Sequence, residues 1–350
     1  NHTSMVGNTH LADTLHNLGI KIKAIFAPEH GFRGSADAGE QILDGKDKRT
    51  GIPVISIYGK NKKPQDSQLE GIDVLVYDIQ DVGARFYTYL STLHYIMEAA
   101  AEKNIKVIVL DRPNPNGHYF DGPVLDTAFK SFVGMHSIPV VHGNTLGEMA
   151  KMINGEGWLK NGVKCNLEVV TVSNYTHQTP YSLPIKPSPN LPSDRSIELY
   201  PSLCFFEGTL VSVGRGTAIP FELIGSPKLD TIQTSHLADF VRFTPVSTEG
   251  AKYPPYENKQ CFGFDLSKGD AAFSAEKGLN LDFLIKMFEW HGGSEDFFSS
   301  PSFFDKLAGS DKLRKQLLAG KTEKEIRQSW QADLEEYAKL REKYLLYPLN

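Results

Sequence analysis

The sequence predicts an α/β protein whose first part carries a parallel sheet and whose second part is a smaller α+β unit. Up to about residue 175, short runs of Val, Ile and Leu alternate with stretches of helical spacing, as in strand–helix–strand units. Segment 181–194 contains four prolines and little periodicity, which is typical of a connector. Beyond it strands and helices no longer alternate, so we expect domains over residues 1–190 and 191–350.

Strands are predicted where apolar runs end at turn residues. In chain order they are Ile22–Ala27, Val54–Tyr58, Ile72–Asp78, Ile105–Asp111, Ile138–His142, Leu167–Val172, Thr209–Val213 and Cys261–Leu266. Helices are predicted where apolar residues recur every three or four positions. They are Thr9–Leu18, Tyr89–Lys103, Thr145–Gly155, Leu279–His291, Asp311–Ala319 and Thr322–Tyr344. Thr145 and Glu148 have the spacing of a capping box, and Gly19 follows the first helix where a positive φ is favoured.

The charge balance and the cysteines exclude several functional classes. Lys and Arg number 37 against 42 Asp and Glu, a formal net charge of −5 at pH 7, so the chain lacks the basic excess of a general nucleic-acid or anionic-membrane binder. Cys165, Cys204 and Cys261 are too widely spaced for a zinc site or a redox pair, and we expect them to be buried. The apolar runs are too short to span a membrane.

Polar, glycine-rich loops follow four of the predicted strands. The carboxyl ends of parallel strands meet at one edge of a sheet, and ligands bind there. We therefore expect a catalytic or binding site at that edge. Its candidate residues are Glu29, His30 and Arg33 after the first strand, Asp78, Gln80, Asp81 and Arg85 after the third, Asp111, Arg112 and Asn114 after the fourth, and His142 after the fifth.

Glu29 is the strongest candidate for a general acid. It follows a proline at the end of an apolar strand, a place that partly removes a carboxyl group from water and helps it to hold a proton. A helix cap or an ion pair with Arg33 is the structural alternative. Asp78 or Asp81 could supply a second carboxylate, although Asp78 could instead cap a turn or pair with Arg85.

Signatures of nucleotide binding, of the serine-hydrolase elbow and of zinc proteases are absent from the sequence. It contains no G-x-G-x-x-G after a strand, no G-x-x-x-x-G-K-[ST], no G-x-S-x-G and no H-E-x-x-H, and the segment Gly214–Thr217 is only a weak anion nest. We therefore expect neither a cofactor nor a metal. Aromatic residues make up 11% of the chain, and Tyr87 lies just after the third polar loop, a mixture of rings and polar groups that suits a sugar.

Five ordered motifs add a more specific indication. They are Ala27–Gly34, Asp78–Tyr89, Leu110–Pro115, Phe206–Thr209 and Val213–Thr217. Together they resemble the exo-β-N-acetylmuramidases, a family long known only as a domain of unknown function. The resemblance covers nearly the whole chain, and motifs of this length are far more specific than a short pattern.

The resemblance implies a Rossmann-like catalytic domain over 1–190, an auxiliary α+β domain over 191–350 and an active-site cleft between them. It implies a bacterial enzyme, exported to the periplasm or cell envelope, that releases N-acetylmuramic acid from the non-reducing end of peptidoglycan fragments such as MurNAc–GlcNAc. Glu29 is then the catalytic acid. The resemblance identifies no nucleophile, and Asp78 and Asp81 stay the candidates for a second carboxylate.

N-acetylmuramic acid carries a lactyl carboxylate, which an arginine binds through two parallel hydrogen bonds. Polar side chains in and near the motifs are therefore expected to bind the substrate. They are His30, Arg33, Gln80, Arg85, Tyr87, Asp111, Arg112, Asn114, His142, Glu207 and Arg215. Which of the four arginines binds the lactyl group stays open, as does the choice between retaining, inverting and acetamido-assisted hydrolysis.

Two other functions are compatible with the sequence. A metal-dependent deacylase or phosphoesterase acting on cell-wall glycans could use Asp78, Asp81, His30 and His142 as ligands. A glycan-binding protein without catalysis would use the same crevice.

Overall fold

The computed structural model describes residues 1–33, 40, 43–269, 271–273 and 278–350, so Gly34 of the first motif lies outside the described residues. The strands in these ranges are β1 Met5–Val6, β2 Thr9–His10, β3 Ile25–Ala27, β4 Gly45–Lys46, β5 Pro53–Ser56, β6 Val74–Tyr77, β7 Lys106–Leu110, β8 Asn166–Val170, β9 Leu223–Ser226, β10 Phe240–Phe243 and β11 Cys261–Asp265. The helices are α1 Leu11–Asn17, α2 Asp66–Leu69, α3 Tyr89–Glu102, α4 Leu146–Gly155, α5 Asp194–Leu203, α6 Thr231–Thr234, α7 Asp282–Trp290, α8 Pro301–Ala308, α9 Lys312–Leu318, α10 Glu323–Gln328 and α11 Gln331–Glu342. In this described part of the chain, no helix combines the length and apolarity needed to cross a membrane.

The expected parallel sheet is present, with β7 between β6 and β8. The side chains of β7 alternate between the two faces of the sheet, and Val107 and Val109 point into the core, where helices α3 and α4 pack. On the other face Val74, Val76 and Val170 are between 41% and 47% exposed. The α/β class is thus confirmed, with helices α3 and α4 on one face of this sheet.

Helix α4 begins with the predicted capping box. The Thr145 hydroxyl accepts from the backbone N–H of Glu148 at 3.2 Å, and the Glu148 carboxylate accepts from the backbone N–H of Thr145 at 2.9 Å. These two bonds satisfy amide groups that a helix start otherwise leaves unpaired. Gly19 has the expected positive φ, +77°, after α1.

A second, smaller sheet carries the first motif. Strands β3 and β5 pair in parallel, and β4 joins β5 antiparallel. Ala27, the last residue of β3, packs with Ala12 and Phe32 in a small core of its own. Pro28 and Glu29 follow β3 directly, so the end of this strand positions the first motif, Ala27–Gly34.

The second part of the chain contains an antiparallel sheet with β11 between β10 and β9. Gly225 and Gly263 face each other in this sheet, and a Cβ on Gly263 would lie 1.8 Å from the Ile224 carbonyl oxygen. This sheet and the helices around it confirm the α+β expectation. Strands β9 and β10 were not predicted, because neither is a long apolar run.

Two predicted strands do not form. Segment 138–142 makes only isolated bridges from Val141 to Ala84 and Asp121, and segment 209–213 makes one bridge from Ser212. Both segments are apolar because they are buried, and periodicity does not distinguish a buried loop from a strand. The predicted helix at 322–344 is divided into α10 and α11, and helix α5 was missed at the end of the proline-rich connector.

The two parts of the chain share one apolar core. It contains Val107 of the parallel sheet together with Phe205 and Phe297 of the second part. Because one core runs through both parts, packing does not mark a boundary at residue 190. The domain division there stays a prediction.

The C-terminal helix α11 returns to the first part of the chain. The Tyr337 hydroxyl donates to the carbonyl oxygen of His142, and Nη2 of Arg341 donates to that of Gly143, both at 2.7 Å. Helix α11 therefore covers the loop that follows the expected fifth strand.

Arg85 is a fully buried cation that joins the two parts of the chain. Its Nη1 donates to the carbonyl oxygens of Pro123 at 2.7 Å and Ile138 at 2.8 Å, and its Nη2 donates to that of Leu307 at 2.8 Å. The side chain is 1% exposed and makes no ion pair with the described residues, and burial lowers its pKa to about 9.

We expect Arg85→Lys to lower the free energy of unfolding by about 1–3 kcal/mol, because a lysine cannot reach all three carbonyl groups and buried acceptors then lose their partners. Chemical denaturation monitored by circular dichroism measures the change. Arg242→Lys, on an exposed position of β10, is the matched control and should stay within about 0.5 kcal/mol of the wild type. Equal losses in the two variants would contradict the bridging role of Arg85.

His94 of α3 and His136 form a buried histidine pair. The Nδ1 of His94 is 3.0 Å from the Nε2 of His136, and the Nε2 of His94 is 3.6 Å from the carboxylate of Glu98, which also binds Lys63 at 2.8 Å. Burial lowers the pKa of His94 to about 4 and shifts the pKa of His136 in the same direction. Both rings are therefore neutral in the folded protein near neutral pH.

The free energy of unfolding should fall as the pH drops from about 6.5 to about 4. In this window the unfolded chain protonates His94 whereas the folded chain does not, so protons favour unfolding by at most about 3 kcal/mol through this group. Urea titrations at a series of pH values measure the slope. His94→Gln should flatten it, and His16→Gln, on the exposed side of α1, should not. An unchanged slope in His94→Gln would show that this pair is not the acid-sensitive group.

Candidate active site

A cleft of about 1220 Å³ lies where segments of both parts of the chain meet. Its first wall comes from the loop after β3, from Tyr58 after β5 and from the stretch 86–88 before α3. Its second wall comes mainly from the 3₁₀ segment Cys204–Gly208, the stretch 209–215 and the loop 250–256. Pockets for small ligands usually measure about 300–1,000 Å³, so this cleft has room for more than one sugar ring.

Glu29 lies in this cleft at the carboxyl end of β3. Its Oε1 accepts a hydrogen bond from the Tyr58 hydroxyl at 2.7 Å, and its Oε2 accepts one from the Thr88 hydroxyl at 2.6 Å. The chain turns sharply after it, because His30 and Gly31 have φ values of +65° and +75°. A non-glycine residue with such a φ is uncommon, and strained positions of this kind cluster at functional sites.

Glu207 and Arg215 form an ion pair in the second wall. Both Nε and Nη2 of Arg215 donate to Oε1 of Glu207, at 3.0 and 2.5 Å. The guanidinium carbon lies 5.2 Å from the centre of the Phe221 ring. Arg215 thus presents a fixed positive charge to the cleft, next to an anion.

The backbone under this pair is closely packed. A Cβ on Gly208 would lie 2.8 Å from backbone atoms of Phe304, so only glycine allows the 3₁₀ segment to rest on α8. Gly214 and Gly216 flank Arg215 with φ values of +75° and +79°, a conformation that other residues rarely adopt. These contacts explain the glycines in the two motifs that carry the pair.

Aromatic side chains line much of the cleft. They are Tyr58, Phe86, Tyr87, Phe132, Tyr200, Phe206, Phe221, Tyr253, Tyr256 and Phe303. Tyr87 donates its hydroxyl to the carbonyl oxygen of Pro187 at 2.9 Å, and burial raises its pKa. Most of these rings are buried or half-buried, whereas Tyr253 is 90% exposed and lies at the mouth of the cleft. Such ring faces suit the apolar faces of sugars.

Fewer than half of the residues expected at the site line the cleft. Those that do are Glu29, His30, Tyr87, Glu207 and Arg215. Those that do not are Arg33, Asp78, Gln80, Asp81, Arg85, Asp111, Arg112, Asn114 and His142.

The two aspartates expected to assist Glu29 have other partners. Asp78 accepts from Nε of Arg112 at 2.6 Å, and neither side chain lines the cleft. Asp81 accepts from the backbone N–H of Gly83 at 2.7 Å and lies 3.6 Å from Nε2 of His142. Both aspartates are buried, and neither lines the cleft.

Two further arginines are also engaged away from the cleft. Arg33 pairs with Asp13 at 3.3 Å and with Asp47 at 2.9 Å, and Arg85 is the buried bridge described above. Among the four motif arginines, all of them within the described ranges, only Arg215 lines the cleft.

The remaining loops are closed by the C-terminus. Asp111 accepts from the hydroxyls of Thr145 at 2.6 Å and Tyr347 at 2.7 Å and from the N–H of Gly147 at 2.8 Å. Burial raises its pKa, although these hydrogen bonds oppose the shift. Asn114 is held by the loop before α4, because its amide nitrogen donates to the carbonyl oxygen of Asn144 at 2.8 Å.

Gln80 also holds a neighbouring loop, since its amide nitrogen donates to the carbonyl oxygen of Pro113 at 2.8 Å.

In the part of the chain that the structure describes, no three His, Cys, Asp or Glu side chains are grouped so that they could hold a metal ion. The ligand set expected for a metal-dependent hydrolase, which needs His30 beside Asp78, is therefore not assembled.

Two cleft residues that sequence reasoning missed are the partners of Glu29. Tyr58 ends the predicted strand that pairs with β3, so a comparison of the ends of adjacent strands could have found it. Thr88 lies inside the second motif but at the start of a helix, where a hydroxyl is commonly assigned to capping.

Comparisons with known proteins extend these observations. Family models described as the N-terminal and C-terminal parts of the exo-beta-N-acetylmuramidase NamZ match residues 1–195 and 198–347. The peptidoglycan beta-N-acetylmuramidase NamZ of Bacillus subtilis (strain 168) is 39% identical over 341 residues, which cover 95% of this chain and 81% of that protein.

Two crystal structures of DUF1343 family proteins from Bacteroides fragilis NCTC 9343 are similar to this fold. One has a TM-score of 0.88 and 47% sequence identity, and the match covers 100% of this chain and 93% of the other. The second has a TM-score of 0.80 and 31% identity, over 99% of this chain and 92% of the other.

Proposed function

The chain belongs to the exo-β-N-acetylmuramidase family, and we propose that its cleft hydrolyses peptidoglycan-derived glycans and releases N-acetylmuramic acid from their non-reducing end. The enzyme is a glycosidase. The substrate proposed for the cleft is the disaccharide MurNAc–GlcNAc or a longer glycan that ends in it. Because peptidoglycan lies outside the cytoplasmic membrane, we also propose that the enzyme works in the periplasm or cell envelope.

The placement of Glu29 carries the proposal. A glycosidic bond breaks when an acid gives a proton to the leaving oxygen, so a carboxyl group must stand in the cleft with a fixed orientation. Tyr58 and Thr88 hold one oxygen each, and neither carries a charge. These two hydroxyls therefore fix the orientation of the Glu29 carboxyl group in the cleft.

Arg215 is the proposed ligand of the lactyl carboxylate. Its Nε and Nη2 are bound to Glu207, while its Nη1 makes no hydrogen bond to the part of the chain that the structure describes. The outer edge of the guanidinium, Nη1 with Nη2, is thus the part left for a second carboxylate. N-acetylglucosamine has no lactyl group, so this contact would separate the two sugars.

We expect Glu29→Gln to lower kcat by about 10²- to 10⁴-fold while binding and folding persist, because glutamine keeps the shape and both hydroxyl contacts but has no acid proton. Release of the chromophore from a β-glycoside of N-acetylmuramic acid measures kcat, and thermal denaturation checks the fold. Glu168→Gln, an exposed partner of Lys106 on β8, is the control and should keep wild-type kcat. A kcat near the wild-type value in Glu29→Gln would contradict the assignment.

Arg215→Lys should weaken binding of N-acetylmuramic acid about tenfold and leave N-acetylglucosamine within twofold, because lysine keeps the charge but loses the planar fork. NMR titration of both sugars into Glu29→Gln and Glu29→Gln/Arg215→Lys gives the Kd values without hydrolysis. Arg112→Lys in the same background, a motif arginine away from the cleft, should change neither Kd. Equal weakening of both sugars by Arg215→Lys would show that Arg215 is not the lactyl ligand.

A further inference from the structure

Within the described residues, three carboxylates line the cleft: Glu29, Glu40 and Glu207. Glycosidases of most families use two carboxylates that flank the scissile bond. The Glu40 side chain is 36% exposed and pairs with Lys252 at 2.7 Å, whereas the Glu207 side chain is 24% exposed and lies deeper in the wall. Glu207 is therefore the better-placed partner for Glu29.

The way Arg215 holds Glu207 leaves one oxygen for the substrate. Both donors of Arg215 bind Oε1, and the contact recorded for Oε2 within the described ranges is the thiol of Cys204, whose sulfur is 3.8 Å away. A bracing pair elsewhere differs, since Arg314 binds Oδ1 of Asp305 with Nε and Oδ2 with Nη2, at 2.9 and 2.8 Å. The Arg215–Glu207 pair therefore leaves Oε2 of Glu207 without a charged donor among the described residues.

The apolar surroundings of Glu207 reduce the screening of its charge. Cys204 and Phe206 of the same 3₁₀ segment are buried, and Phe221 lies against Arg215. A carboxylate in such apolar surroundings is screened less than one in water, so it stabilises a nearby positive charge more strongly. The tight packing of Gly208 on α8 keeps the segment in place.

On the basis of the proposed function, we infer that Glu207, held as an anion by Arg215, is the second catalytic carboxylate and faces the positive charge that develops on the sugar. The bond between C1 and the leaving oxygen breaks, and Glu29 gives its proton to that oxygen. The electron deficit at C1 and the ring oxygen, or on the acetamido group if it closes onto C1, lies opposite Oε2 of Glu207. Water then bonds to C1, and its proton returns to Glu29.

The two carboxylates are not interchangeable. Glu207 accepts from the guanidinium of Arg215, whereas Glu29 accepts from the neutral hydroxyls of Tyr58 and Thr88. Because Glu29 first gives and then takes the proton on the same side of the sugar, the product should keep the β configuration.

The test is Glu207→Gln, which keeps the shape of the side chain and an acceptor for Arg215 but removes the charge. We expect kcat to fall at least 100-fold, with the Kd for N-acetylmuramic acid within threefold of wild type and an unchanged fold by circular dichroism. Glu323→Gln is the matched control, because Glu323 also accepts from Nε of an arginine, Arg327, at 2.9 Å but lies away from the cleft. It should keep wild-type kcat.

A second variant separates a catalytic charge from a structural contact. In Glu207→Ala, added formate or azide should restore kcat at least tenfold, because a small anion can occupy the space of the carboxylate, and it should restore nothing in Glu29→Gln. Proton NMR of the first-formed product should show the β anomer.

Three results would overturn the inference: a kcat of Glu207→Gln within threefold of wild type, a loss that appears only as a weaker Kd or an altered fold, or a first-formed α anomer. If the wild-type enzyme itself does not cleave the muramic acid glycoside, the proposed function fails instead. The two failures are therefore distinguishable.

Discussion

Hydrogen bonds between the C-terminal segment and the strand-end loops of the first part constrain the position of any site in this protein. The buried carboxylate of Glu148 accepts from His177 at 3.0 Å and from the backbone N–H of Leu346 at 2.9 Å, and Asp111 is bound by Tyr347. Leaving buried polar groups without partners of this kind would cost several kcal/mol of stability in total, so these loops stay closed. The carboxyl end of β7 is therefore a packed interior rather than an open crevice.

The cleft lies instead at the carboxyl end of β3, where the described part of the loop is not covered in this way. There the first part of the chain contributes Glu29, and the second part contributes Glu207 and most of the aromatic rings. A site made from two parts of a chain works only if both walls are rigid, since small displacements are costly in catalysis. The shared apolar core and the buried Arg85, which binds carbonyl groups on both sides, supply that rigidity.

Glu29 and Glu207 accept hydrogen bonds from different kinds of group. Glu29 is held by two neutral hydroxyls, whereas Glu207 is held by a guanidinium. Different surroundings of this kind allow two chemically identical side chains to serve different roles in one reaction. The two hydrogen bonds to Glu29 join residues that are distant in the sequence, because Tyr58 and Thr88 lie 29 and 59 positions from Glu29.

The sequence by itself determined the α/β class, the capping box of α4 and the place of Glu29 at a strand end, because these follow from local periodicity and from the geometry of parallel strands. Its motifs were specific enough to indicate the family. Sequence reasoning singled out Glu29 but expected site residues in every one of the polar loops, because no local pattern distinguishes a covered loop from an open one. Only the tertiary structure decided which loops are covered, since the contact between Tyr347 and Asp111 joins residues 236 positions apart and leaves no local pattern. The same reason separates Arg215 from the other three arginines: a side chain's partner is a property of the packed fold, not of its neighbours in the chain.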